Sequence, residues 1–528
     1  METPPFKPKL PQVPESEQTP LVRSLLQVIA DLQAQVQRLE DEIRRLKGGP
    51  PRPQLKPNTL EGAAATPSNP PDEDSPRRRG HPQRAKTAEL IIHEICQVPL
   101  ADVPEGARFQ GYRPYTVQDV VIRLHNTRYE REQWQLPGGE SVTAPVPVAV
   151  CGGHYGPQLV TYLLHQHYHA HATQPILLAQ IREWGVVISA GQLNRLLTEG
   201  HDGFHQEKAA IKAVGLAVSS YVQTDDTGVR HQGKNGYCTY LGNEWFAWFA
   251  STGSKSRVNF LELLQGERCY AVNAEALAYM AERGVAAGHR ERLAAYPVVL
   301  ADPDAWAAYL RRHLVDSPRA IALVTEGALL GGLVMQGFRL DLRLLSDDAG
   351  QFALFVHALC WVHAERPLQQ IVPLNAADRQ AIAEVREQVW TLYRDLKAYR
   401  EQPTPAAKAA INARFDTLCA TITPCEPLNH VVRSFQRNRA ELLRVLDYPE
   451  VPLHNNRSEN DIRDMVKKRK ISAGTRSEAG RRCRDTFISL KKTCLKQGLA
   501  FWAYLHDRVS GQNLIPPLPD LIRQAATA

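Results

Sequence analysis

Between Val218 and Ser251 the chain leaves helical spacing for strand-like alternation, and an acidic pair stands at the end of the first strand. Tyr221-Val222-Gln223-Thr224 leads into Asp225-Asp226-Thr227-Gly228. Asn235-Gly236 follows as a hairpin-turn signal. The aromatic runs Tyr237 to Leu241 and Glu244 to Ser251 then flank Gly242-Asn243. Three strands of this kind, set among helical segments, specify a mixed α/β core. Phe338 to Ser346 reads as a further strand, delivering Asp347-Asp348 into a turn that contains Gly350. Adjacent strand residues point to opposite faces, so each Asp pair leaves open which member faces a given side. Either acid alone reads equally as a turn or strand-end residue.

A third acid lies far along the chain. In Leu453-His454-Asn455-Asn456-Arg457-Ser458-Glu459-Asn460-Asp461-Ile462-Arg463, Glu459 opens what reads as a helix that runs on into Lys467-Lys468-Arg469-Lys470. Asn456-Arg457-Ser458-Glu459 also fits an Asn cap with Glu at the third helical position, a capping box that only starts a helix. The window from Arg457 to Lys492 holds twelve Lys or Arg and five Asp or Glu, a surplus equal to the +7 of the whole 528-residue chain. The basicity therefore belongs to one surface, which points to nucleic acid before membrane. Arg457, Arg463, Lys467, Lys468, Arg469, Lys470 and Arg476 are its candidate phosphate contacts.

Upstream, Val22, Ile29, Val36 and Ile43 alternate at heptad spacing with Leu25, Leu32, Leu39 and Leu46. β-Branched residues at a with Leu at d favour a parallel two-stranded coiled coil, so residues 22–46 are expected to dimerise the chain. Residues 48–89 are rich in Pro, Gly, Ala and charge and end in the basic arm Arg77 to Arg84, which reads as a linker. Between 90 and 155, Val120 to Leu124 and Tyr129 to Trp134 suggest a hairpin around His125-Asn126-Thr127. His93 with Cys96, and Cys151 with His154, have the spacing of two half zinc sites. Nearly sixty residues separate the halves and nothing else pairs them, so zinc is not expected.

From Pro157 to Gly200 the chain reads as helical. Pro175 to Trp184, Gly185 to Ser189 and Ala190 to Leu197 have the rhythm of a helix-turn-helix, with Gly185 ending the first helix and Ser189 capping the second. In a DNA-binding version the second helix enters the major groove, where Gln192, Asn194 and Arg195 would read base edges. A plain helical hairpin has the same pattern. Nine scattered cysteines give no disulfide framework, so a reducing cytoplasm is the default. No basic segment followed by an apolar run opens the chain as a secretory signal would. No uninterrupted apolar run reaches the roughly 18 to 20 residues of a membrane helix.

Three carboxylates, Asp225 and Asp347 at strand ends and Glu459 on a helix, suit two hard divalent cations. Two such ions activate an attacking oxygen and neutralise a leaving one in phosphoryl transfer. Without cations, clustered carboxylates repel one another. The sequence resembles bacterial insertion-sequence transposases of the DDE class, in particular the family numbered sixty-six. The matching pieces are the N-terminal zipper, Asp225-Asp226-Thr227-Gly228 where that family has Asp-Glu-Thr, and Asp347 before Gly350 and Phe352. Cys360-Trp361-Val362-His363-Ala364-Glu365-Arg366 and Asn455-Asn456-Arg457-Ser458-Glu459 with Arg463 match as well, as does Arg469-Lys470 through Gly474 to Thr493 and Tyr504-Leu505.

The resemblance implies an RNase H-like fold with Asp225, Asp347 and Glu459 as catalytic and metal-binding triad, holding two Mg²⁺ (or Mn²⁺) ions. It implies cleavage at transposon ends and strand transfer into target DNA, with both DNAs as partners and small accessory proteins as further ones. A catalytically inactive, dimeric DNA-binding derivative is the alternative. The chain departs from the family at Asp226, at the missing paired-cysteine module, and in a longer stretch between Phe260 and Phe338.

The expected organisation is a zipper segment (1–47), the linker (48–89), a β-containing module (90–155) and a helix-turn-helix-like region (156–215). A catalytic domain (216–495) follows, with insertions over about 266–337 and 376–446, and then a C-terminal helix and tail (496–528). The protein is expected in the cytoplasm, at the nucleoid, with no membrane contact.

Overall fold

The structure, a computed structural model, describes residues 91–102, 105–145 and 153–527. The coiled coil at 22–46, the linker, the basic arm and Cys151 lie outside these residues. The chain divides into two units at Asp119/Val120. In the first, residues 91–102 and 105–119 carry no helix or strand and their side chains are exposed. Tyr112 donates its hydroxyl to Gln97 Oε1 at 3.1 Å and packs edge-on to Phe109.

In the second unit the first strands are β1 (Gln133–Gln135) and β2 (Ser141–Thr143), paired antiparallel. The hairpin expected at Val120 to Trp134 is thus displaced along the chain. Pro137-Gly138-Gly139 makes the turn, with Gly139 at φ 86°, whereas His125-Asn126-Thr127 offers no such residue. Helices α1 (Pro157–Tyr168), α2 (Gln174–Glu183) and α3 (Ala190–Thr198) follow. Gly185 ends the α2 segment at φ 87°, and the Ser189 side chain accepts from Gln192 N to cap α3. Both are as the helix-turn-helix reading requires. α4 (Asp202–Val218) leads into the main sheet.

That sheet contains β3 (Tyr221–His231), β4 (Lys234–Gly242), β5 (Ala247–Thr252), β8 (Arg343–Ser346) and β9 (Val356–Leu359) in the order β5-β4-β3-β8-β9. The first three are antiparallel; β8 and β9 run parallel to β3 and to each other. The β3–β4 turn is Gln232-Gly233, both at positive φ (50° and 76°), and not Asn235-Gly236. Gly236 is needed inside β4 instead, because a Cβ there would stand 2.7 Å from the Thr252 carbonyl of β5. The expected strand over Phe338 to Ser346 is confined to its last four residues; the earlier part is a turn after α9.

Between β5 and β8 lie α5 (Arg257–Leu264), β6 (Tyr270–Ala271), α6 (Ala274–Glu282), α7 (Ala287–Ala295), β7 (Val299–Leu300), α8 (Pro303–Arg312) and α9 (Pro318–Met335). The stretch with no readable motif is therefore a folded insertion with its own strand pair. α9 is long and apolar enough to cross a membrane. Val324, Ala328, Leu329 and Leu333 are nevertheless buried among α5, α6 and β6, and Arg319 and Glu326 interrupt the run, so the composition is that of a core helix.

After β9 come α10 (Trp361–Gln370), α11 (Ala376–Glu401), α12 (Pro405–Cys419), α13 (Glu426–Arg437) and α14 (Arg439–Leu442). They share a separate core around Val389, Leu392, Phe415, Leu428 and Phe435. Pro403 and Pro424 stand in the breaks between α11, α12 and α13. The chain returns to the sheet as α15 (Asn456–Ser472) and α16 (Glu478–Lys496) and ends in α17 (Phe501–Val509) and α18 (Leu518–Thr527).

The two faces of the sheet are covered differently. Val229, Cys238, Tyr240 and Phe249 pack against Ile462, Met465 and Ile488 of α15 and α16. Val222, Leu241 and Trp248 belong to the large core shared with α1–α9. α16 also closes the free edge of β5. The backbone N–H groups of Ala247, Phe249 and Ser251 donate to Thr493 Oγ1 (3.2 Å), Ser489 Oγ (2.9 Å) and Asp485 Oδ2 (2.8 Å). Two strand residues and four helix residues advance by similar lengths. Three acceptors spaced by four can therefore serve three donors spaced by two. An edge left open is a template for pairing with another chain.

Candidate active site

Strand alternation separates the two acids of the first pair. Val229 faces α15, so Thr227 and Asp225, two and four residues before it, face α15 as well. Asp226 faces the opposite side. There Gln351 Nε2 donates to its Oδ2 at 2.6 Å, and Lys255 Nζ lies 3.4 Å from its Oδ1. Burial raises the Asp226 carboxyl, with Lys255 and Gln351 opposing the shift.

The parallel register of β3 and β8 pairs Gln223 with Leu345. Two residues further on each chain stand Asp225 and Asp347, so the pairing direction carries both acids to the same end and face of the sheet. The Asp347 loop is held by its own groups. Ala349 N donates to Asp347 Oδ1 (3.2 Å), and Ser346 Oγ donates to the Asp347 carbonyl (2.6 Å) while meeting His357 Nε2 at 2.8 Å. Asp348 points elsewhere, accepting from Asn438 Nδ2 at 3.3 Å.

Glu459 is brought in by the start of α15. Asn455 is the residue that precedes the helix, and its side chain makes no cap; Asn456 is already helical. The capping-box reading of Asn456 and Glu459 is therefore corrected. Asn455 Nδ2 donates to the Thr224 carbonyl (3.0 Å) and Ser458 N to Gln223 Oε1 (3.3 Å), which fastens the helix start to β3 beside Asp225. α10 is joined at the same point. Trp361 N donates to the Leu453 carbonyl (2.9 Å) and Asn455 N to Cys360 Sγ (3.3 Å). From α10, His363 Nε2 and Arg366 approach Glu459 Oε1 at 3.4 and 3.7 Å. Burial, then Arg366, lowers His363, against Glu459 and Asp347.

The acids sense one another. Burial pushes Asp225 up to about 7, with Asp347, then Asp226 and Glu459, adding to the rise against the Asp226 N–H. Among the described residues, however, no three His, Cys, Asp or Glu side chains are gathered into a group able to hold an ion. Of the zinc reading, His93, Cys96 and His154 are described and Cys151 is not.

The basic run is not uniform. Arg463, Lys467, Lys470 and Arg476 are exposed. Arg457 lies 3.4 Å from Glu244. Lys468 turns inward and donates to the His167 carbonyl at 2.9 Å, and burial lowers it to about 8. Arg469 donates to the Gly228 carbonyl of β3. In α3, Asn194 and Arg195 are exposed and Gln192 half-buried; Arg195 donates to Gln192 Oε1 and Gln174 to Asn194 Oδ1. The sequence reading assigned no role to His363, Arg366, Gln223 or Asn455. His363, Arg366 and Asn455 lie inside two of the pieces that carry the resemblance, Cys360 to Arg366 and Asn455 to Glu459, which was the available signal.

Comparison with known proteins finds a family model described as transposase IS66 family over residues 346–482, a span that holds Asp347 and Glu459 but not Asp225. The uncharacterized protein y4jO of Sinorhizobium fredii (strain NBRC 101917 / NGR234) is 40% identical over 308 residues, which is 57% of this chain and 96% of that protein. No solved structure matches. The chain belongs to the IS66 family of transposases.

Proposed function

We propose that the protein is a DNA transposase whose RNase H-like core uses Asp225, Asp347 and Glu459 for phosphoryl transfer at transposon ends and into target DNA. The observation that carries this reading is the shared register. The register of β3 and β8 brings Asp225 and Asp347 towards one end of the sheet, and Asn455 fastens the first turn of α15, which carries Glu459, to β3 at the residue next to Asp225; both support the reading. A sheet ordered β5-β4-β3-β8-β9, antiparallel then parallel, supports the fold assignment.

Divalent Mg²⁺ or Mn²⁺ fits the donor chemistry, since all three groups are hard carboxylate oxygens. Bound there, two ions would supply charge neutralisation at the attacking and leaving oxygens. The chain's own residues do the rest. Asp225 is fixed by strand backbone, Asp347 by the turn that follows β8, and Glu459 is carried on the anchored first turn of α15. Exposed Arg463, Lys467, Lys470 and Arg476 offer phosphate contacts along α15 and beyond it, and α3 offers Asn194 and Arg195 to a groove. Dimerisation through residues 22–46, accessory proteins as further partners, and a cytoplasmic, nucleoid-bound location belong to the same proposal.

The test is strand transfer of pre-cleaved transposon ends into supercoiled DNA with Mg²⁺. Asp225→Asn, Asp347→Asn and Glu459→Gln should each lower the rate by more than roughly a hundredfold, the loss that follows removal of a mere supporting residue at a metal site. Asp226→Asn and Asp348→Asn should retain activity. Unchanged transfer by Asp225→Asn or Glu459→Gln sinks the triad, and a wild-type protein that binds ends without transferring them is the inactive derivative.

A further inference from the structure

We propose that Arg366, together with His363, is a positioning residue that holds Glu459 aside from Asp225 and Asp347 until a DNA backbone phosphate takes over the guanidinium. This rests on the triad reading above and adds how the site is completed.

Three observations converge. Gln223 and Leu345, two residues before Asp225 and Asp347, are paired in register, yet among the described residues no three such acids form a group able to hold an ion. Glu459 Oε1 is instead shared by His363 Nε2 and Arg366, which lie three residues apart on one face of α10. The placement of α10 is set by backbone and not by a loose loop. Its first N–H is given to Leu453, and Cys360 receives the Asn455 N–H, so α10 and α15 begin as one joint.

The contact itself is weak in kind. Arg366 is half exposed (51%), and it meets a single carboxylate oxygen at 3.7 Å, where a planar guanidinium is suited to two parallel bonds with a carboxylate or phosphate. A solvent-facing pair of this sort is readily exchanged. A phosphate entering over α10 presents oxygens in the geometry the guanidinium accepts. Glu459, released, turns to the two strand acids, where a divalent cation would offset their mutual repulsion. DNA and metal would then favour each other's binding, with Arg366 as the shared element.

The experiment uses the full-length protein and reads Mn²⁺ binding by calorimetry, with and without a short DNA duplex. Without DNA, Arg366→Gln should bind Mn²⁺ roughly five- to tenfold more tightly than wild type, within the usual span of site-to-site coupling. The duplex should raise Mn²⁺ affinity in wild type and not in Arg366→Gln, while Arg366→Lys should keep part of that response. His363→Asn, which removes the second contact, should tighten DNA-free binding in the same direction. A gain of affinity is not the mark of a damaged fold. Equal or weaker DNA-free binding by both variants overturns the proposal. Asp225→Asn separates the two readings: unchanged Mn²⁺ binding in that variant overturns the triad itself. Lost binding there, with no effect at Arg366, overturns only the holding role.

Discussion

Asn455 Nδ2 donates to the Thr224 carbonyl at 3.0 Å, joining residues 231 positions apart at the strand residue next to Asp225. Asn455 is wholly buried, so the bond is made out of water and each partner depends on the other. It makes the angle of α15 over β3, and hence the placement of Glu459, a backbone-level property.

Asn455→Ala should cost about 1–3 kcal/mol of stability, the usual cost of stranding a buried polar group, and should lower strand transfer further than that loss explains. Thermal unfolding beside a transfer assay at a temperature where the variant is fully folded checks this. Activity equal to wild type in the folded variant would remove the anchoring role.

The exposed and inward cations should behave differently. Charge reversal at Lys467 or Lys470 should weaken DNA binding across sequences and flatten the plot of log affinity against log salt by about 0.9 per lost contact. Lys468→Met, which removes a donor to the His167 carbonyl, should move the melting temperature and leave that slope alone. Titrations of a duplex over a series of salt concentrations read both.

Asp464 gives a pH dependence. Burial works against its charge, but Lys491 Nζ at 2.8 Å and Lys492 Nζ at 3.2 Å hold the carboxyl down at about 2. A depressed acid contributes stability above its unfolded pKa of roughly 4, and that contribution fades as pH falls from about 4 through about 2. The full difference is on the order of 2 kcal/mol, and burial of Lys491, which pushes its ammonium down, offsets part of it. Asp464→Asn should therefore be less stable than wild type at pH 7, with the gap closing towards pH 2. A gap independent of pH would show that the charge plays no part.

Ser489→Ala should leave the Phe249 N–H without its acceptor at the β5 edge. Hydrogen exchange at that amide should accelerate, and stability should fall by about 1–3 kcal/mol. Exchange as slow as in wild type would mean that another group covers the edge.

Much of this was legible in the chain, for identifiable reasons. The helix-turn-helix punctuation was, because Gly185 and Ser189 act locally, through φ and through a side-chain cap. The strand that carries Asp225 was, because the change from helical to strand spacing at Val218 is local too, although β3 runs on to His231 and does not end at that acid. What was not legible depends on partners distant in sequence. Asn235-Gly236 is a strong turn signal, yet Gly236 is required in mid-strand by the Thr252 carbonyl, which no local window contains. The Asp225/Asp226 choice needed to know which face α15 covers, and that follows from Ile462 and Met465, far later in the chain. The basic run looked uniform, although the carbonyls of His167 and Gly228 turn Lys468 and Arg469 inward. The capping box failed as well: Asn456 is already inside the helix, and the residue before it, Asn455, gives its side chain to the sheet.

The ladder from α16 to β5 bears on how copies of such an element decay. A stop codon or frameshift before Asn456 removes the third acid, and it also removes the cover of Tyr240 and Phe249 and the acceptors for Ala247, Phe249 and Ser251. The shortened product bares an apolar face and an unpaired edge, which are routes to aggregation.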